Sequence, residues 1–232
     1  FIWFCEGHVK TMVQHPEMID DMVEAGLHRI QLGIEAGTRE VLNSYRKGST
    51  PEEIKQLVEL CREKGVHQIY GNIIVGGAMF SREVWEQDRE FVKEVLDIGL
   101  GTVEIGVVFF WPLPETAMTK DPAAYGLRLQ DTAFLTSVGD FPLADTEQMT
   151  LWEINEMGRV LQEEIVKHMQ SMLKQQRIPH DRILSWFQKE QAHYGGAGKW
   201  YQLAENMEFL APYYTLLASG SVCRSQEINP DC

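Results

Sequence analysis

HRIQLGIEAGTREVLNSYRKGST, residues 28–50, decides the fold. Arg29 to Ile34 is a short apolar run that carries Ile30, Leu32 and Ile34. Glu35 follows, then Ala36-Gly37 and a helical pattern. The stretch reads as a strand, a turn and a helix, with a carboxylate at the strand's end.

The segment before it, EAGLHRI (24–30), has two counterparts, EKGVHQI (63–69) and DIGLGTV (97–103). Each runs from a helix through a glycine into a strand, and Gly26, Gly65 and Gly99 are expected in the left-handed position that ends a helix. Pro51 to Lys64 carries Ile54, Leu57, Val58 and Cys61 at helical spacing, with Thr50, Pro51 and Glu53 placed as a capping box. Pro16 to Ala25 and Arg82 to Ile98 read as further helices, the latter capped by Ser81.

Strands are expected near 1–5, 28–34, 67–75 and 102–110. The runs Ile73-Ile74-Val75 and Val107-Val108-Phe109-Phe110 predict burial on both faces, as in a parallel sheet covered by helices. The order β-α-β-α-β-α-β is an α/β architecture with right-handed crossovers. Four strands make an open sheet or part of a larger barrel. Beyond about residue 130 the pattern turns helical, over Thr146–Gln176, His180–Ala192 and Lys199–Leu217. The expected division is therefore an α/β unit followed, from about residue 130, by a helical region.

Composition narrows the classes. A net charge of −13 disfavours nonspecific binding to nucleic acid. No apolar run approaches the roughly 18 residues of a membrane span, and no secretory signal is visible. The cysteines, Cys5, Cys61, Cys223 and Cys232, lack CxxC spacing and fit free thiols in a cytoplasmic protein, with Cys61 in the core. Cys5, Glu6 and His8 have metal-capable side chains without further spaced ligands, so no metal site is expected. The chain begins Phe1-Ile2-Trp3-Phe4-Cys5, without Met and inside a strand, which suggests a piece of a longer protein whose cut edge leaves it either poorly soluble or paired in a homodimer.

Ligands of parallel α/β folds bind at the carboxyl ends of strands. Those ends hold Glu6-Gly7-His8, Glu35-Ala36-Gly37, Gly76-Gly77 and Trp111 onward, with Asn72 inside the third strand. A buried amide there needs partners, and a ligand is one. His28 and His67 fall at the opposite end and read as structural. Residues alone reach a ligand-binding α/β unit with a C-terminal helical region, and leave open a noncatalytic module whose methionine-rich 146–176 helix binds a partner and an α/β enzyme using Glu35 as general base.

Trp3…Glu6, HPEMIDDMVEAGLHRIQLGIEAGTREVL and RKGSTPEEI together resemble the radical S-adenosylmethionine (SAM) enzymes, in the branch of the anaerobic magnesium-protoporphyrin cyclases and many cobalamin-binding methyltransferases. IIVGGAMFS (73–81) and PLPET (112–116) match that branch's later "IVG.PGET" and "P.PGT" patterns, and the likeness runs to about residue 127. It implies that the four strands are the third to sixth of a six-stranded partial barrel, so that 1–127 is an α/β half-barrel and 128–232 a helical region. Glu35 and Asn72 would contact the nucleoside of SAM. Gly76 and Gly77 would let SAM approach the backbone, and Val107 to Trp111 would flank the adenine. The likeness also implies a 4Fe–4S cluster that cleaves SAM to a 5′-deoxyadenosyl radical, or a cobalamin-dependent methyl transfer, in the parent enzyme. The family's CxxxCxxC cluster motif is absent, so this chain alone is expected to be inactive. Ala36 and Glu115 stand where the family pattern has Ser and Gly.

Overall fold

The computed structural model describes residues 3–130 and 141–178. The chain parts into two compact units, Phe1–Val166 and Lys167–Cys232, and the sheet and the site lie in the first. The expected helices at 180–192 and 199–217, the residues Phe1 and Ile2, and the thiols of Cys223 and Cys232 fall outside the described residues.

The first strand, β1 (Trp3–Gly7), leads through α1 (Val9–Gln14) and α2 (Glu17–Glu24) to β2 (Leu27–Glu35). Then come α3 (Arg39–Ser44), α4 (Pro51–Glu63), β3 (Gln68–Val75), α5 (Arg82–Gly99) and β4 (Val103–Phe109). The four strands are parallel and lie side by side in chain order. The fold is thus α/β, a run of parallel strands and crossover helices of the kind that builds a partial barrel.

Local signals act as read. Thr50 and Glu53 form the capping box of α4, and Ser81 Oγ accepts from Val84 N at the start of α5. Gly26 and Gly65 are left-handed, at φ 95° and 84°. The third joint differs. Gly99 stays helical, and the left-handed residues are Leu100 and Gly101. A Cβ on Gly99 would come within 2.5 Å of Val103 Cγ2, so this glycine serves close packing of α5 on β4.

Among the described residues the sheet is covered by helices on one face only, where burial on both was expected. Ile30, Leu32, Ile34, Ile69, Ile73, Val75, Val103 and Ile105 are buried beneath the helices. Exposure alternates along β2 and β3, and the residues between those core positions, among them Arg29, Gln31, Glu35, Tyr70 and Asn72, are half-buried. Apolar runs at Ile73-Ile74-Val75 therefore mark strands whose second face lines a concavity. At the sheet's lower end, the His28 and His67 rings stack with centroids 4.2 Å apart.

Past β4 come α6 (Ala117–Lys120), a 3₁₀ turn (Pro122–Tyr125), and an antiparallel ribbon of β5 (Leu127–Leu129) and β6 (Ala144–Thr146). The ribbon falls where a helical region was expected. Its Leu127 and Ala144 pack with Phe110 at the end of β4. The long helix α7 (Leu151–Lys174) starts later than the expected Thr146. Thr150 and Glu153 form a second capping box, and Asp145 accepts from Leu151 N at 2.7 Å. Within the first unit, Trp85 Nε1 donates to Met157 O, and Arg89 pairs with Glu164. Met149 and Met157 are buried, so these two methionines are core residues rather than an open binding face.

Candidate functional site

Glu35 ends β2 in an unusual backbone state. Its φ is 61°, and Ala36 N donates to Ile34 O at 2.7 Å across it. That is a three-residue γ-turn in its rare, strained form. The pairing register to β3 slips between Leu32 and Glu35, which re-aims the side chain over the uncovered face.

Lys47 meets the carboxylate there, with Nζ 2.5 Å from Glu35 Oε1. The end of α3 places it. Arg46 N donates to Asn43 O and Lys47 N to Leu42 O, a Schellman motif with Arg46 at φ 56° in the place usually taken by glycine. Gly33 leaves room for the pair, since a Cβ there would lie 3.0 Å from Glu35 Oε1 and 3.3 Å from Lys47 Nζ. The Glu35 side chain is 13% exposed and that of Lys47 37%.

Asn72 stands on the same face, one strand over. Its Oδ1 is buried without a hydrogen-bond partner. Gly106, its neighbour on β4, makes space for it: a Cβ there would lie 2.6 Å from Asn72 Oδ1.

Two cavities share Glu35, Lys47 and Asn72. The larger, about 660 Å³, runs toward β4 and is walled by Ile74, Val108, Trp111, Met118 and Tyr125. The smaller, about 370 Å³, runs toward β1 past Gln31, Ser49, Glu6 and His8. Volumes of this size suit a small organic ligand.

The structure therefore gathers Glu35, Asn72 and Trp111 around one space. Val107 lies elsewhere. It is the register partner of Ile73, so its side chain belongs to the helix-covered face, and Val108 takes the cavity side. Gly76 and Gly77 follow β3, Gly76 at φ 78°. The space beside Gly76 is taken by Ile154, and that beside Gly77 by the Tyr45 hydroxyl. Protein packing thus accounts for both glycines.

Three contributors were not singled out from sequence. Lys47 sits inside the quoted RKGST block. Tyr125 is carried in by the segment leading to the ribbon, whose Leu-Arg-Leu alternation after Gly126 was the available signal. Asp88 falls on the buried stripe of α5 with Trp85, Phe91 and Val95. An acid on an apolar stripe is a signal in itself. Burial pushes the Asp88 carboxyl up to about 7, against the lowering effect of a hydrogen bond from Gly37 N.

Residues 5–107 match the Radical SAM superfamily. This segment is thus similar to radical SAM domains. Over 127 residues, 55% of this chain and 26% of the other, it is 28% identical to an uncharacterized methyltransferase of Pyrococcus horikoshii. Over another 127-residue alignment, 53% of this chain and 28% of the other, it is 31% identical to a tRNA-2-methylthio-N(6)-dimethylallyladenosine synthase of Dehalococcoides mccartyi. The chain thus spans between 26% and 28% of the length of these relatives. The cobalamin-dependent S-adenosylmethionine radical enzyme OxsB, solved with aqua-cobalamin and S-adenosylmethionine bound, aligns over 99% of this chain and 39% of its own. That alignment has a TM-score of 0.50 at 13% identity, a likeness of fold alone.

Radical SAM chemistry implies two groups, and the residues fit one of them. S-adenosylmethionine offers donors for Glu35 and for the orphaned Asn72 oxygen, and an aromatic ring for the Trp111 wall. A 4Fe–4S cluster asks for several thiolates in one loop. The described cysteines do not supply them. Cys5 lies on β1, and Cys61 is fully buried on α4, where burial pushes its thiol up to about 12. Among the described residues no three His, Cys, Asp or Glu side chains cluster as metal ligands. No described helix is long and apolar enough to cross a membrane.

Proposed function

We propose that this chain supplies the nucleoside-binding part of a radical SAM enzyme. The observation that carries the reading is the pairing of an orphaned amide oxygen, Asn72 Oδ1, with the Lys47-held carboxylate of Glu35, on the border of one aromatic-walled cavity at the strand ends.

In this reading Glu35 accepts from a ribose hydroxyl or amino donor, and its charge strengthens that bond in a partly dehydrated site. Lys47 fixes the carboxylate's direction. Asn72 Oδ1 accepts a second donor, relieving a buried polar atom that has no protein partner. Trp111 and Val108 shield the adenine ring. Gly76 and Gly77 offer backbone only, because protein side chains fill the space beside them. Bound SAM supplies an activated sulfonium from which an adenosyl or methyl group can leave. The chain's own task is to orient that molecule and to exclude water.

The finer reading is methyl transfer, with cobalamin as a second cofactor. It is supported by the similarity to the Pyrococcus horikoshii methyltransferase and by the fold shared with an enzyme solved with aqua-cobalamin. Cobalamin absorbance that co-purifies with the intact protein would uphold this finer reading, and a cobalamin-free active enzyme would remove it. The nucleoside site itself is tested by calorimetric titration of SAM into the intact protein and its Asn72→Ala variant. A clear loss of affinity is expected, and unchanged affinity would overturn the assignment.

A further inference from the structure

Asp88 is 1% exposed on a helix stripe that otherwise buries apolar side chains. Its Oδ1 accepts from Gly37 N at 2.6 Å, two residues past Glu35. A Cβ on Gly37 would lie 2.5 Å from Phe91 Cβ, so the backbone of this turn rests directly on α5. Tyr45 joins the same place from the end of α3. Its buried phenol lies within reach of the charges of both Asp88 and Glu35, and the Ala78 backbone hydrogen-bonds to it. Asp88 thus holds the turn that ends β2, and Tyr45 beside it packs against the turn that ends β3.

A buried carboxylate is costly where an apolar residue would pack as well. The γ-turn at Glu35 is also a conformation that an ordinary residue resists, and it persists only where its surroundings hold it. Both facts have one explanation. We infer that Asp88 is a positioning residue for SAM binding: by holding Gly37 N it locks the Ile34-Glu35-Ala36 turn, and so aims the Glu35 carboxylate into the cavity. Asp88 does not touch the ligand. The inference rests on the reading of Glu35 as a nucleoside contact.

The test is calorimetric titration of SAM into the intact protein and four variants: Glu35→Gln, Asp88→Ala, Asp88→Asn and the double variant Asp88→Ala with Glu35→Gln. Asp88→Ala should weaken binding about tenfold, the scale of one lost charge-assisted hydrogen bond's effect. Asp88→Asn keeps an acceptor oxygen and should restore affinity to within about threefold of wild type. The double variant should bind no worse than Glu35→Gln alone, because Asp88 acts only through Glu35. Unchanged affinity in Asp88→Ala overturns the inference, as does an equal further loss on the Glu35→Gln background. Wild-type affinity in Glu35→Gln would instead remove the reading of the site itself. Should Asp88→Ala fail to fold, hydrogen exchange at the Gly37 amide decides. Slow exchange in wild type and Asp88→Asn supports the lock, and fast exchange in wild type refutes it.

Discussion

Replacing Glu35 by Gln removes one charge and almost no volume, and it leaves the backbone strain as it was. Two interactions change. The first is the Lys47 ion pair, which is 2.5 Å long but has a partner 37% exposed. Solvent screens such a pair, so its loss should cost about 0.5–1 kcal/mol of stability. In a chain of this size that lowers Tm by about 1–4 °C. The second is the bond to the ligand. Losing a charge-assisted hydrogen bond costs about 1.5–3 kcal/mol, which is about a 10- to 150-fold rise in the Kd for SAM.

The expected signature is thus a large binding effect on a small stability effect. Urea unfolding measures the one, and calorimetric SAM titration of the intact protein measures the other. Glu35→Gly gives an internal control, because glycine adopts φ 61° freely and should recover about 1 kcal/mol of backbone strain while still losing binding. A Glu35→Gln protein that loses several kcal/mol of stability and binds SAM like wild type would show the carboxylate to be only a structural partner of Lys47.

Gly33→Ala would crowd Glu35 Oε1 and Lys47 Nζ, and the flexible pair should yield at a stability cost under about 1 kcal/mol; displacement of the carboxylate should still weaken SAM binding severalfold in the same titration. Asp88 gives a pH dependence, because its carboxyl holds a proton more tightly in the fold, at about 7, than in the unfolded chain, at 3.8. Its contribution to stability is complete below pH 3.8 and is lost as pH rises to 7, on the order of 4 kcal/mol in all, so urea midpoints of wild type should fall between about pH 4 and 7 relative to Asp88→Asn and level off above that. Glu115, at φ 65° and with an 86% exposed side chain, should accept glycine with a gain of up to about 1 kcal/mol in thermal unfolding. The chain expressed alone should dimerise through β1, which pairs only with β2 among the described strands and leaves Phe4 70% exposed; light scattering that shows a monomer at all concentrations would refute this.

What could be read in advance was what neighbours in the chain decide. The capping box at Thr50, the Ser81 cap, and the left-handed glycines at 26 and 65 each depend on a few adjacent residues, and those readings stand. Gly99 shares their local pattern, but a contact with Val103 sets its role, and no joint motif carries that information. The same limit hid the brace behind Glu35. Gly37 N and Asp88 are 51 residues apart, and only packing of α5 on the β2 turn brings them together. Val107 was misassigned because an unbroken apolar run conceals which side chain faces which way. The register with β3 settles it: Val107 sits beside Ile73, and Val108 beside Ile74.

Partnering along the uncovered face shows why the site falls at its upper end. Low on the sheet, Gln68 Nε2 donates to Glu104 at 2.7 Å, and the Arg29 guanidinium lies 4.7 Å from the centroid of the Tyr70 ring. These polar groups serve one another, although Gln68 Oε1 is left over. One layer up, the balance changes. Gly33 and Gly106 withhold side chains where two more could have filled the concavity, and in that room stand an ion pair and an amide oxygen with no partner. A face meant only to be buried would close those spaces with apolar groups, since each orphaned polar atom costs about 1–3 kcal/mol. Here the glycines keep the space open, the γ-turn spends strain to aim a carboxylate into it, and α5 contributes a buried acid to hold that turn. These separate local costs converge on one cavity, and a ligand that donates hydrogen bonds to Glu35 and Asn72 offsets the cost of the orphaned amide oxygen.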